Sequence, residues 1–399
     1  DERHPWLALR YGIALDNDLG DYDGAMAIYK AVRDQSIADG DRQLEARALA
    51  HFCQTSVNMQ KLEEGFDYGL RAISLAREIE EWATLGRTLQ FFGYCAITLG
   101  IAKENIQTLL DIDLLAVPHA WRASCLEIIA NTHFLLGNWE LLQASWRAWN
   151  EFDDLEDKVD ADRVMLDLLR GAEITWSDEV KQQLNELAIR GQGSLTWSGK
   201  YISAVLTASR FSLGSELHFE AQKVADGLAA RTWASTLLPM SLCAQASAIC
   251  ISKNQSEAVR ILPELDAFTH DIDLPSGSSV TRLRGLLQVI VGNNEAAAKS
   301  FEDAINFTAK SEYWPEFVRS SLDYADLLVV NGSNQKASEV IEAALPHAER
   351  LEMDLFFKEL SNIKEQLVSA ATPQGESIDS EFPDGLTQRE AEVLRLVAA

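Results

Sequence analysis

The chain has 399 residues, 47% of them hydrophobic, enough to bury the cores of two or three ordinary domains or of one long repeat array. Its 35 Lys and Arg against 61 Asp and Glu give a formal charge of -26, which repels phosphate backbones and anionic membrane faces over most of the surface. The sequence has no long uncharged apolar run and no basic-then-apolar start, so neither a membrane span nor a secretory leader is predicted, and the expected location is cytoplasmic.

The first residues, "DERHPWLALRYGIAL", fall directly into a helical pattern behind Asp1, and the sequence reads as a piece cut at both ends. Turn signals then recur along the chain at Gly20, Gln60, Gly100, Gly137, Thr175, Gly214, Lys253, Gly292 and Gly332, in steps of 37 to 40 residues. Gln60, Thr175 and Lys253 stand where the other repeats have Gly. After each turn comes a small or apolar triad spaced by four and then three residues. Examples are Ala25, Tyr29 and Val32; Leu142, Trp146 and Trp149; and Ala297, Phe301 and Ala304. The sixth unit slips by two, to Ala221, Ala225 and Leu228. That spacing is one face of an α-helix. Before the turn, Cys53, Gly93, Ala130, Thr207, Ala246, Gly285 and Ala325 put small side chains where two helices of a hairpin approach closely. The fifth unit has Leu168 there and is degenerate. A single hairpin cannot bury its apolar face, so the prediction is an all-α stack of about nine hairpins with a period near 39 residues.

After "NIKEQLVSAA" the composition changes to "TPQGESIDSEFPDG", a solvated linker predicted over 371–385. Helix resumes with "LTQREAEVLRLVAA", where Thr387 and Glu390 form a capping box.

Little in the chain points to reaction chemistry. Cys53, Cys95, Cys125, Cys243 and Cys250 lack C-x-x-C spacing and are expected to be buried reduced thiols. The seven histidines form no H-x-x-x-H pair, so no metal site is assigned. "GSLTWSGKY" has five intervening residues rather than four and ends in Tyr201, which rules it out as a phosphate loop. No nucleophile elbow is present. No catalytic residue is assigned, and the chain is not predicted to be an enzyme.

The unit "GLLQVIVGNNEAAAKSFEDAINFTAK" resembles the tetratricopeptide family through Gly285, Gly292, Ala297, Phe301 and Ala304. "IIANTHFLLGNWELLQASWRAW" does so through Ala130, Gly137, Trp139 and Trp146. The longer period is similar to that of MalT-like bacterial regulators. The terminal helix resembles the start of a LuxR-type helix-turn-helix through Leu386, Thr387, Arg389, Glu390, Glu392, Val393, Leu394, Leu396 and Ala398. Together these imply a right-handed superhelical sensor arm over 1–370 and a truncated DNA-binding domain over 386–399. DNA binding would belong to the full-length carboxyl-terminal domain. No cofactor is implied in these residues, ATP being reserved for an upstream module, and self-association would load the output domains onto DNA.

In a solenoid of this type the first helices line the concave face. That places Arg47, Gln54 and Asn58, then Arg87, Gln90 and Tyr94, then Glu127 and Asn131 in a groove, with Tyr201, Arg282, Arg319 and Asp326 further along. The groove would take a small-molecule or peptide inducer, or a protein partner. The alternatives without DNA binding are a tetratricopeptide-like protein–protein adaptor and a peptide-pheromone receptor. Trp82, Trp121, Trp197, Trp233 and Trp314, near the starts of first helices, either plug gaps between hairpins or anchor a partner.

Overall fold

The computed structural model describes residues 4–152, 161–170, 195–213, 215–229, 238–266, 268, 271–273, 277–371 and 393–395. The first four hairpins run α1 Pro5–Ala14 with α2 Tyr22–Asp39, α3 Arg42–Asn58 with α4 Leu62–Glu78, α5 Trp82–Thr98 with α6 Ala102–Leu110, and α7 His119–Leu136 with α8 Trp139–Phe152. Then come α9 Ala161–Arg170, α10 Leu195–Arg210 with α11 His218–Ala229, and α12 Leu238–Ser252 with α13 Gln255–Asp266. The last pairs are α14 Val280–Ile290 with α15 Asn294–Lys310 and α16 Trp314–Val330 with α17 Asn334–Arg350, closed by α18 Asp354–Ala371. A two-residue antiparallel ladder, β1 Ile272–Asp273 on β2 Ser278–Ser279, leads into α14.

Most helices pack chiefly on a neighbour in sequence, and α10 packs most on α12, the first helix of the next hairpin, as expected of a repeat stack. The second helices start at Tyr22, Leu62, Ala102, Trp139, His218, Gln255, Asn294 and Asn334. Those starts keep the 37–40 residue step if the interval between Trp139 and His218 holds two units. The degenerate fifth unit's turn at Thr175 and its second helix fall on 171–194, outside the described residues.

Local chemistry explains the hairpin ends. Asp21, Asp41 and Asn293 accept from the backbone N–H three residues on, at 3.0, 3.0 and 3.2 Å, each capping a helix start. At the turns, Gly20, Gly100, Gly137, Gly292 and Gly332 take positive φ between 66° and 82°, which lets the following N–H reach back to the spent helix. Gln60 and Lys253 take the same conformation, at φ 59° and 52°, without the freedom of a missing Cβ. The triads lie in the core: Ala25, Tyr29, Leu142, Ala221, Ala225, Ala297, Phe301, Ala304, Ala337, Ile341 and Ala344 are all buried. So are the small residues facing them, Cys53, Ala130, Thr207, Ala246 and Ala325. All five cysteines are buried and free.

One large core cluster includes residues from Ile73 to Leu367, while a separate cluster around Leu9, Tyr29, Val32 and Phe52 joins the first hairpin to α3.

The stack does not extend as an open rod. The Tyr313 hydroxyl donates to the Ile97 carbonyl at 2.7 Å and the Trp139 indole N–H to the Leu351 carbonyl at 2.8 Å. Lys103 pairs with Glu312. These partners are 209 to 216 residues apart, so the chain comes back on itself after between five and six repeats. Turns of the third and fourth hairpins thereby rest on the connections that flank α16 and α17. Ile97 and Leu351 both carry helix-end carbonyls with lone pairs to spare: the Ile97 oxygen, which also accepts from Gly100 N–H at 3.1 Å, takes the phenol, and the Leu351 oxygen takes the indole.

Closure changes the inner face of the later hairpins. Arg282 donates to Asp323 at 2.7 Å and Arg319 to Glu316 at 2.7 Å, with the carboxylates and both guanidinium groups almost wholly buried. Arg319 also reaches the Thr207 hydroxyl of α10 at 3.1 Å, and Arg210 pairs with Asp326. Ser279 N–H donates to Glu316 at 2.8 Å. The expectation that Tyr201, Arg282, Arg319 and Asp326 line an open groove is therefore corrected. Tyr201, Arg282 and Arg319 are buried, because α10 and α16 meet across the axis where a gap was expected. Arg282 and Arg319 with Glu316 and Asp323 form a desolvated centre, and Arg210 with the partly exposed Asp326 sits at its edge.

Candidate functional site

A cavity of about 700 Å³ opens on the first helices of hairpins one to four. α1 contributes Trp6, Leu7, Leu9, Arg10 and Ile13; α3 contributes Arg47, Ala50 and His51; α5 contributes Ala83, Thr84 and Arg87; α7 contributes Trp121, and His4 closes one edge. Helical spacing sets this arrangement: Arg47 and His51 are four apart on α3, as are Ala83 and Arg87 on α5, so each pair shares a face. The lining holds three arginines and two histidines and no carboxylate, in a chain whose charge is -26.

The arginines are held by packing as well as charge. The Arg47 guanidinium lies 4.8 Å from the centre of the Trp6 ring, and Arg87 lies 5.5 Å from that of Trp121, within cation–π range. Arg47 donates to one Glu81 oxygen from Nε at 2.9 Å and from Nη2 at 2.5 Å. Arg87 donates from Nη2 to Gln54 Oε1. Its Nε is buried and, among the described residues, meets no acceptor. The same holds for Nδ1 of His51, whose ring stacks on Tyr29 at 5.4 Å. Burial, reinforced by the charges of Arg87 and Arg47, holds the His51 pKa well below 6.5, so the imidazole is neutral at pH 7. Burial also lowers the Arg87 pKa, opposed by Tyr29 and by the Asp16 carboxylate.

Of the eight groove residues expected from sequence, the structure brings two, Arg47 and Arg87, into this cavity. Gln54 sits behind Arg87 and donates to Asn17 at 3.0 Å. Asn58 donates to Asp16 Oδ1 at 2.7 Å, and Thr55 donates to the other oxygen at 2.6 Å. Asp16 and Asn17 belong to a π-helical turn, Leu15–Leu19, that continues α1. These two amides thus tie the first hairpin to the second. Gln90 and Glu127 are half-buried, and Tyr94 packs on the small cluster of Val57, Leu62 and Cys95. Asn131 is buried and accepts from Lys200 at 3.2 Å, within the closed part of the coil. Trp6, Arg10, His51 and Trp121 complete the cavity. His51, which is not among the residues expected from sequence, is the residue one helical turn after Arg47, and that spacing is the signal that could have found it. Trp121, read as a plug or an anchor, is a wall.

Val393 and Leu394 lie in a helical turn and are more than half exposed. Leu386, Thr387, Arg389, Glu390 and Glu392, with the linker from 372 on, lie outside the described residues. Among the described residues, no cluster of three His, Cys, Asp or Glu is placed to hold a metal, and no helix is long and apolar enough to cross a membrane.

No protein-family model matches the chain, and no curated protein does. Among solved structures it is similar to a circular tandem repeat protein with novel repeat topology and enhanced subunit contact surfaces. The identity is 13% over 92% of this chain and 97% of that one, with a TM-score of 0.22, a likeness too distant to assign a function. On its own coordinates, the chain is an all-α protein of stacked helical hairpins.

Proposed function

We propose that this chain is a non-enzymatic binding protein, a tetratricopeptide-like right-handed superhelix whose amino-terminal hairpins hold a small ligand or a segment of a partner. The observation that carries this reading is the cavity between α1, α3, α5 and α7, where two tryptophans and three arginines converge. Apolar walls with a few convergent polar groups are the usual make-up of a recognition site. The closed hairpins behind it act as a rigid base, since their inner face is already spent on Arg282, Glu316, Arg319 and Asp323.

A thermal-shift screen of metabolites and short peptides, run on the wild type and on Trp6→Ala, tests this. Hits that raise the wild-type melting temperature and fail on the variant support the reading. Hits indifferent to Trp6 would place recognition elsewhere.

A second reading is favoured by the match of Leu386, Thr387, Arg389, Glu390, Glu392, Val393 and Leu394 to the first helix of a LuxR-type domain. In it, the same scaffold is the sensor arm of a MalT-like transcription regulator. A gel-shift assay of the gene product expressed from its whole reading frame, with and without nucleotide, checks that version; absence of any shift in both states would leave the first reading alone.

A further inference from the structure

Two residues that line the cavity, Arg87 and His51, each carry a nitrogen that the other described residues leave without a partner. Arg87 Nε and His51 Nδ1 are both buried without a partner among the described residues. A buried polar nitrogen without a partner is unfavourable, and two on residues lining one cavity favour a ligand that brings an acceptor. Its chemistry is constrained. Arg87 has spent Nη2 on the neutral Gln54 rather than on a carboxylate, and Arg10 and Arg47 stand on the other walls. Glu81 offsets Arg47 alone. The surplus is positive, and a guanidinium takes carboxylates in preference to neutral acceptors. The remaining walls are aromatic, Trp6 being more than a third exposed.

Resting on the reading of this cavity as the binding site, we propose that its ligand is a small aromatic carboxylate, the anion seated at Arg87 and His51 and the ring against Trp6 and Trp121. Neutral His51 supplies its Nδ1–H in one tautomer, so no proton need be taken up to complete the pair of donors.

The test is calorimetric titration of the whole chain with benzoate and indole-3-carboxylate, with their neutral amides, and with acetate, which has the charge but no ring. The aromatic acids are expected to bind, and each amide to bind weaker by about tenfold or more, the usual worth of a charge-assisted bond. Arg87→Gln is expected to lose binding by a similar factor. Because Arg87 also supports Gln54, Trp6→Leu, whose ring lies on Arg47 and not on Arg87, and Arg10→Gln are tested beside it, with melting curves to confirm that each is folded. The first should weaken the aromatic acids and leave acetate unchanged, and the second should weaken both. Amides that bind as well as acids, folded variants that bind as the wild type does, or no binding by either aromatic acid would overturn the proposal. Should neutral peptides still bind in a Trp6-dependent manner, the anion assignment falls and the broader reading of the cavity survives.

Discussion

At the residue scale, the turns show how much of a repeat protein rests on single backbone angles. Lys253 is exposed and holds φ at 52°, a conformation that costs a side-chain-bearing residue about 1–2 kcal/mol. Lys253→Gly is expected to stabilise the protein by about 0.5–1 kcal/mol after the entropy of the freer unfolded chain is subtracted. Gly292→Ala, at φ 82°, should destabilise by about 1–2 kcal/mol. Urea melts of the two variants check both signs. In the buried network, Arg282→Met removes the nearer cation from Asp323 and leaves it, among the described residues, only Arg210 Nε at 3.5 Å, and a loss of about 3 kcal/mol, the low end for a broken buried pair, is expected. A loss under about 1 kcal/mol would show that water reaches the pair.

Protonation belongs to the same scale. His51, His133 and His347 are each held below 6.5, first by burial. Between pH 6.5 and their lower folded values the unfolded chain binds more protons than the native one, so stability rises with pH through that window and falls on acidification. Asp326 works the other way: burial raises its carboxyl to about 6, so its contribution is present below the ordinary carboxylate range and is lost as pH rises toward 6. Denaturation measured from pH 5 to 8 should show stability falling below 6.5, and His51→Gln should flatten part of that slope.

At the scale of elements, the pairing of helices was legible because it is written in small residues at fixed intervals. A Cβ on Gly93 of α5 would run into the Ile128 side chain of α7. Gly93→Ala is expected to cost about 1–3 kcal/mol by overpacking, despite the better helix propensity of Ala. The groove was less legible. The counting rule that found Arg47 and Arg87 also selected Gln54 and Asn58, which the structure turns toward Asp16 and Asn17. An amide on an inner face reads the same whether it awaits a ligand or caps a neighbouring hairpin. The π-helical turn that brings Asp16 within reach has no periodic signature.

At the scale of the whole molecule, repeat patterns encode contacts between neighbours, and contacts a coil turn away leave no period. Tyr313 and Trp139 sit in ordinary repeat positions, yet each bonds a carbonyl more than 200 residues distant. Arg282 and Arg319 looked like groove residues because nothing in their spacing tells that α10 arrives opposite them. Closing the coil buries the inner face of the later hairpins and leaves the first four to form the open cavity.

The most direct measurement places cysteines at Lys103 and Glu312, both solvent-accessible and paired across the coil, in a chain whose native cysteines are all buried. A short bifunctional maleimide should link the two within one molecule under native conditions and fail to do so in denaturant. A folded double variant that reacts at both sites without forming the internal link would show an open rod and contradict the account.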